Sequence, residues 1–159
     1  MGQYANLAVL TGMIHDVTAG RVRPRGDLGV RIDYWPNEED RRELVSGMVA
    51  CARLLRAAGA TQVCIPTDPV TLVAGEVDEL ANLQLRPGLL DITAVHPMGS
   101  VPMGDDPGAA AVDSRGKHHH LDGLWIADGS LFPTSIGIPP QLSIYAMGLH
   151  VGRAVVQQG

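Results

Sequence analysis

His96 opens a His-Pro-Met-Gly turn directly after the apolar residues Ile92 to Val95. An imidazole titrates near neutral pH, so a histidine leaving a strand is able to take a proton from a substrate hydroxyl. On spacing alone it reads first as a structural loop residue. A second group, Asp128-Gly129-Ser130, follows the apolar run Leu124-Trp125-Ile126-Ala127. Its plainest reading is a turn, yet a carboxylate and a glycine at a strand's end are also what a loop needs to come close to a cofactor. A third group, Pro139-Pro140-Gln141, stands at the entry to the last helix. Proline is ordinary there because its missing N–H would have no partner, and the next N–H groups, beginning with Gln141, favour negative charge.

His118-His119-His120 is the remaining cluster. Alternate side chains of a strand point to opposite faces, so only His118 and His120 could share a metal ion. Asp122 is the single further ligand type at close spacing. A polar loop is the preferred reading, and no metal site is expected.

The elements that must position these groups follow from patterning. Ala8 to Ile14 is aliphatic and reads as a strand. Arg21-Val22-Arg23 and Val30-Arg31-Ile32-Asp33-Tyr34 alternate apolar with polar around Arg25-Gly26-Asp27-Leu28-Gly29, which predicts a hairpin. The Arg-Gly-Asp triplet also spells an adhesion motif, but the turn accounts for it. Asn37 caps a helix whose first turn holds Glu38, Glu39 and Asp40 and which Gly59 closes. Its core face is read as Leu44, Met48, Cys51 or Ala52, and Leu55. Gln62 to Ile65 reads as a strand, Glu76 to Gln84 as a short helix ended by Arg86-Pro87-Gly88, and Leu124 to Ala127 as a buried strand. After Pro139-Pro140 a final helix runs to about Gln157. Its apolar residues lie nearly all round, which predicts extensive burial, with Gly148 and Gly152 in ordinary core contact.

Composition narrows the function classes. A hydrophobic fraction of 45% and a charged fraction of 18% describe a globular chain with a real core. A formal charge of −5, with no basic stripe along the sequence, argues against nucleic acid as a partner. No apolar run reaches the roughly 20 residues that span a bilayer, and Met1 to Gly12 lack a signal-peptide pattern, so a cytoplasmic location is the default expectation. Cys51 and Cys64 are expected as buried free thiols.

Order and spacing tie the chemical groups together. His96-Pro-Met-Gly-Ser-Val-Pro-Met-Gly104, Asp106-Pro107, Val112-Asp113 and Leu121-Asp-Gly-Leu-Trp-Ile-Ala-Asp-Gly-Ser-Leu-Phe-Pro133 resemble the carboxy-terminal signature of glucose/methanol/choline (GMC) oxidoreductases. Gly20-Arg-Val-Arg23 and Ala57-Ala-Gly-Ala60 are similar to segments of that family's substrate domain. The resemblance implies an α+β fold: a mostly antiparallel sheet with packed helices over residues 1–90, and over 91–159 the carboxy-terminal elements that complete an α/β FAD-binding domain. It implies oxidation of an alcohol to an aldehyde or ketone by hydride transfer to FAD, with His96 as the general base. Asp128 and Gly129 would approach the flavin chain. Pro140 and Gln141 would start a helix aimed at the flavin edge that gathers negative charge, with the Gln141 N–H as the contact.

Two departures from the family pattern bear on function. The second active-site position, usually His or Asn, is held by Pro139, and Ser100-Val101-Pro102 replaces the common Thr-Cys-Arg stretch. The larger departure is that the sequence contains no Gly-x-Gly, whereas the family grips the ADP half of FAD with an amino-terminal Gly-x-Gly-x-x-Gly turn. The chain is therefore expected to need an amino-terminal FAD-binding half as partner, or to self-associate through surface that half would cover. A non-enzymatic interaction module and a histidine-dependent metal protein are the rival readings.

Overall fold

The computed structural model describes residues 4–27 and 29–158. Leu28, in the expected hairpin turn, lies outside them. The chain divides into two units, residues 1–92 and 93–159. The sheets are antiparallel and small, and helices accompany them, so the mixed helix-and-sheet character is as expected.

The first unit is organised by helix α1, Glu38–Ala57. Asn37 caps it by accepting from the Asp40 N–H at 2.9 Å. At the other end Gly59 takes φ of 97°, while the Ala60 N–H bonds Leu55 and the Gly59 N–H bonds Arg56, the paired bonds of a Schellman stop. The buried stripe is Val45, Val49 and Ala52: Ala52 is one of the two predicted alternatives, while Val45 and Val49 stand one residue on from the predicted Leu44 and Met48. Val49 and Ala52 pack with Val63, Ile65, Val77 and Leu80, flanked by Met48 and Leu55.

Strands β1, Arg21–Arg25, and β2, Gly29–Asp33, form the expected hairpin, with Gly26 at φ of 62° in its turn. Strands β3, Val63–Ile65, and β4, Thr71–Val73, form a second one. Val63 and Ile65 face the core, so the alternation of a strand turns Cys64 outward. Both cysteines are free, but Cys64 is exposed and Cys51 only half-buried, which corrects the expectation of buried thiols. Residues 77–82 form a 3-10 turn in place of the expected short helix.

Ala8 to Ile14 is not a strand; the segment has no regular structure and is largely exposed. It lies along α1: a Cβ placed on Gly12 would stand 3.5 Å from Cys51 Sγ and 3.7 Å from the Gly47 carbonyl. Further on, Asp40 is 2% exposed and accepts from the Val17 and Thr18 N–H groups, each at 3.0 Å, and from the Thr18 hydroxyl. Burial opposes ionisation of Asp40, but the Thr18 and Val17 bonds outweigh it and hold the carboxyl below its ordinary range.

The second unit is held by Val112, Leu131 and Val151, with Val101, Met103, Trp125, Ile126 and Met147 around them. Helix α2, Gln141–Gln158, contributes Val151 and Ala154 to the buried set. Its remaining apolar residues correct the expectation of all-round burial, since Leu142 is 83% and Val156 81% exposed, with Tyr145 and Leu149 also exposed. Gly148 lies over the Ala127 carbonyl, where a Cβ would stand 3.7 Å from the oxygen, whereas Gly152 faces open space. Neither Ile92 to Val95 nor Leu124 to Ala127 is a strand; the latter makes a single bridge, Lys117 to Trp125, and only Trp125 and Ile126 are half-buried. A strand exists only where a neighbour completes its ladder, and no described residue does so for these two runs.

Candidate active site

The turn after Asp128 sets the site. Asp128 Oδ1 accepts from the Ser130 N–H at 2.9 Å and the Ser130 hydroxyl at 2.5 Å, capping a 3-10 turn over Gly129–Leu131. Those two bonds, the hydroxyl first, outweigh a small desolvation and hold the exposed Asp128 carboxyl below its ordinary range, so it is ionised at neutral pH.

The His96 loop is laced to this turn by its backbone. The N–H groups of Gly99, Val101 and Met103 donate to the carbonyls of Gly129, Ser130 and Leu131 at 3.4, 3.0 and 3.1 Å. Gly99 makes the approach with φ of 80°. Gly129 is buried where loop, turn and α2 meet: a Cβ there would stand 3.2 Å from Ile144 Cδ1 and 3.5 Å from the Pro97 carbonyl. A side chain there would press on the Ile144 side chain, which would have to give by a few tenths of an ångström, while the backbone of Pro97 would be in ordinary contact.

The result is a cavity of about 360 Å³ lined by His96, Asp128, Gly129 and Pro140 together with Val95, Pro97, Ser100, Ser130 and Ile144. Four of the six residues singled out from the sequence thus share one wall. Pro139 is exposed and does not line the cavity. Gln141 does not line it either, and its side-chain amide donates to the Tyr145 hydroxyl at 2.6 Å. Pro140 takes the capping position, its carbonyl accepting from the Ile144 N–H at 2.9 Å, so the helix begins one residue later at Gln141. Ile144 escaped the sequence reading, and Ser100 was noted there only as part of a departure from the family pattern, not as a site residue. Ile144 follows Pro140 by one helical turn, a spacing that would have found it; Ser100 carries no such signal.

His96 is half-buried, and its Nδ1 is buried without a hydrogen-bond partner among the described residues. Such an atom is costly to leave unmade and marks a place where a further polar group fits. The histidine cluster shows no comparable feature: His119 Nε2 bonds the Gly104 carbonyl at 2.8 Å, and His118 Nδ1 accepts from the His120 and Leu121 N–H groups. Among the described residues no group of three or more ligand side chains is placed to hold a metal ion. A larger cleft of about 690 Å³ lies in the first unit, lined by α1 and residues 81–85, with Arg41, Arg42 and Arg53 as its basic groups. Arg42 and Arg53 are engaged by Glu38 and Asp78, and the cleft holds no histidine.

A sequence profile described as GMC oxidoreductase, for the family's carboxy-terminal region, matches residues 16–148. The chain belongs to the GMC oxidoreductase family. It is 35% identical over 153 residues to a GMC-type oxidoreductase of Mycobacterium tuberculosis, covering 94% of this chain and 24% of that protein. It is 26% identical to a long-chain-alcohol oxidase of Arabidopsis thaliana, covering 98% and 22%, and 32% identical to paromamine 6'-oxidase of Streptomyces fradiae, covering 79% and 20%. The chain therefore spans about a quarter of the length of the relatives it matches. Pyridoxine 4-oxidase from Mesorbium loti has a similar fold, with a TM-score of 0.51 at 22% identity over 89% of this chain and 28% of that one. No helix among the described residues is long and apolar enough to cross a membrane.

Proposed function

We propose that this GMC chain is the base-bearing, substrate-side part of a flavin-dependent enzyme that oxidises an alcohol to an aldehyde or ketone. The observation that carries the reading is the convergence of His96, Asp128, Gly129 and Pro140 on one cavity. FAD, when bound, supplies the hydride acceptor. His96 accepts the substrate hydroxyl proton, which leaves the oxygen able to form a carbonyl as hydride departs from its carbon.

The residues present fit such a cofactor. Gly129 lines the cavity with backbone alone, and the ionised Asp128, an acceptor only, suits hydroxyl groups of the flavin chain rather than its phosphates. Helix α2 begins at the cavity with its first N–H groups, that of Gln141 included, free of intrahelical partners and favourable to negative charge. Pro139 has no side-chain donor or acceptor, so the role that His or Asn fills in the family falls to another group; the Ser100 hydroxyl in the cavity is the nearest in kind. The exposed Leu142, Tyr145, Leu149 and Val156 face of α2 is where the amino-terminal part of the enzyme would pack.

A chimera tests this: the present chain joined to the amino-terminal three quarters of the M. tuberculosis relative. The isolated chain should be colourless, because the pyrophosphate-binding turn is missing from its sequence, and the chimera should be yellow with its flavin bleached anaerobically by a primary or secondary alcohol. Stoichiometric flavin on the isolated chain, or a flavin-loaded chimera that no alcohol in a broad panel reduces, contradicts the proposal.

A further inference from the structure

The polar side chains that line the cavity beside His96 are His96 itself, Ser100, Asp128 and Ser130. Three of them already have a task or a partner. His96 is the base of the proposed reaction. Asp128 is ionised and accepts from Ser130, so it has no proton to offer and repels an oxygen that gains negative charge. Ser130 donates its hydroxyl to Asp128 Oδ1 at 2.5 Å. Ser100 is exposed, and its hydroxyl has no hydrogen-bond partner among the described residues.

The free hydroxyl sits on backbone that is held from both sides. The N–H groups of its two neighbours, Gly99 and Val101, donate to the Gly129 and Ser130 carbonyls at 3.4 and 3.0 Å, which fixes Ser100 against the turn that carries Asp128. What is left to set is χ1 and the rotation of the O–H bond. A donor placed in this way needs little rearrangement when charge develops beside it.

Alcohol oxidation gains from such a donor. As the O–H proton passes to His96 and hydride leaves the carbon for the flavin, the oxygen carries partial negative charge until the carbonyl has formed. The start of α2 offers no side-chain donor for that charge. Pro139 has none and stands outside the cavity, Pro140 lines it but has no N–H, and the Ile144 N–H is taken by the Pro140 carbonyl.

We propose that Ser100 is a catalytic residue of this chain, its hydroxyl donating to the substrate oxygen while His96 removes the proton. The inference rests on the reading of His96 as the base of an alcohol oxidation. It moves the second oxygen contact from the start of α2 to the loop that carries the base. Ser100 forms no covalent bond and keeps its own proton.

The test compares Ser100→Ala and Ser100→Thr in the flavin-loaded chimera. The limiting rate of anaerobic flavin reduction should fall about 10- to 100-fold in Ser100→Ala, as expected for loss of one donor to a developing oxyanion. Flavin content and the apparent dissociation constant of the alcohol should change less than about threefold, because the donor acts mainly on charge present in the transition state. Threonine keeps the hydroxyl, so Ser100→Thr should reduce within about threefold of the parent rate. The proposal is overturned by an Ala variant as fast as the parent, by a Thr variant no faster than the Ala variant, or by loss of flavin in step with the loss of rate, which would make Ser100 structural. A chimera that no alcohol reduces removes the reading of His96 and this one with it. One that alcohol reduces equally well with and without the Ser100 hydroxyl removes this one alone.

Discussion

Gly116→Ala isolates the contact on which the second unit turns. Gly116 has φ of 84°, and a Cβ there would stand 2.6 Å from the Ile126 carbonyl oxygen and 2.7 Å from Val151 Cγ2. Neither neighbour yields easily: the oxygen belongs to backbone that Gly116 itself bonds through Ile126 N–H at 2.9 Å, and Val151 is 2% exposed on the helix that also brings Ile144 to the cavity beside His96. The left-handed backbone costs alanine about 1–2 kcal/mol, and overpacking adds about 1–3 kcal/mol. Gly123→Ala is the matched control, because Gly123 has φ of 74° and nothing within 4 Å of the added carbon. The two variants share the backbone cost and differ by the clash alone. With an m-value of about 2 kcal/mol/M in urea, the Gly116→Ala midpoint should fall about 0.5–1.5 M below that of Gly123→Ala. Tryptophan fluorescence reads it, since Trp125 packs in the same core. Coincident midpoints would refute the view that Gly116 fixes α2 against residues 124–127.

Asp40→Asn should destabilise the first unit by about 1.5–3 kcal/mol at pH 7, the scale of hydrogen bonds to a charged group, as measured by urea denaturation. Because the folded carboxyl is held below its ordinary value of 3.8, the native chain keeps this contribution above about pH 4 and loses it as pH falls through the lower folded value; the variant should lack that part of the acid dependence. Arg56 donates to the carbonyls of Ala60, Thr61, Ala74 and Gly75 at 2.5–3.1 Å, joining the end of α1 to the end of β4. An ammonium cannot span two pairs of carbonyls as a planar guanidinium does, so Arg56→Lys should cost about 1–2 kcal/mol and speed amide exchange in β4.

Local signals were legible where the interaction they encode is itself local. Asn37 and Gly59 bounded α1 correctly because a cap and a Schellman stop are made within a few residues, and the alternation around Gly26 described a hairpin whose pairing lies between neighbouring segments of the chain. The runs Ala8 to Ile14 and Ile92 to Val95 have strand-like composition but no ladder among the described residues, Leu124 to Ala127 pairs with residues 116–118 through a single bridge, and composition does not report partners. The α2 pattern showed apolar residues on every side; which side is covered depends on neighbours that periodicity does not name. At the site, His96 and Asp128 are 32 positions apart, and the lacing of residues 99–103 to 129–131 that unites them has no signature in spacing. Family resemblance paired them, and the backbone bonds from Gly99, Val101 and Met103 to residues 129–131 are what hold the two segments together. Ser100 was noted as a departure from the family pattern but given no site role, because a hydroxyl in a loop looks the same whether or not a cavity stands beside it.

The central claim is that His96 is the proton acceptor in alcohol oxidation, and stopped-flow reduction of the flavin in the chimeric enzyme tests it most directly. His96→Ala should slow flavin reduction by about 10²-fold or more while changing substrate affinity much less, because proton transfer develops in the transition state whereas the ground-state hydroxyl has other contacts. Reduction at the parental rate across pH 6 to 9 in a variant that still binds flavin would contradict the assignment.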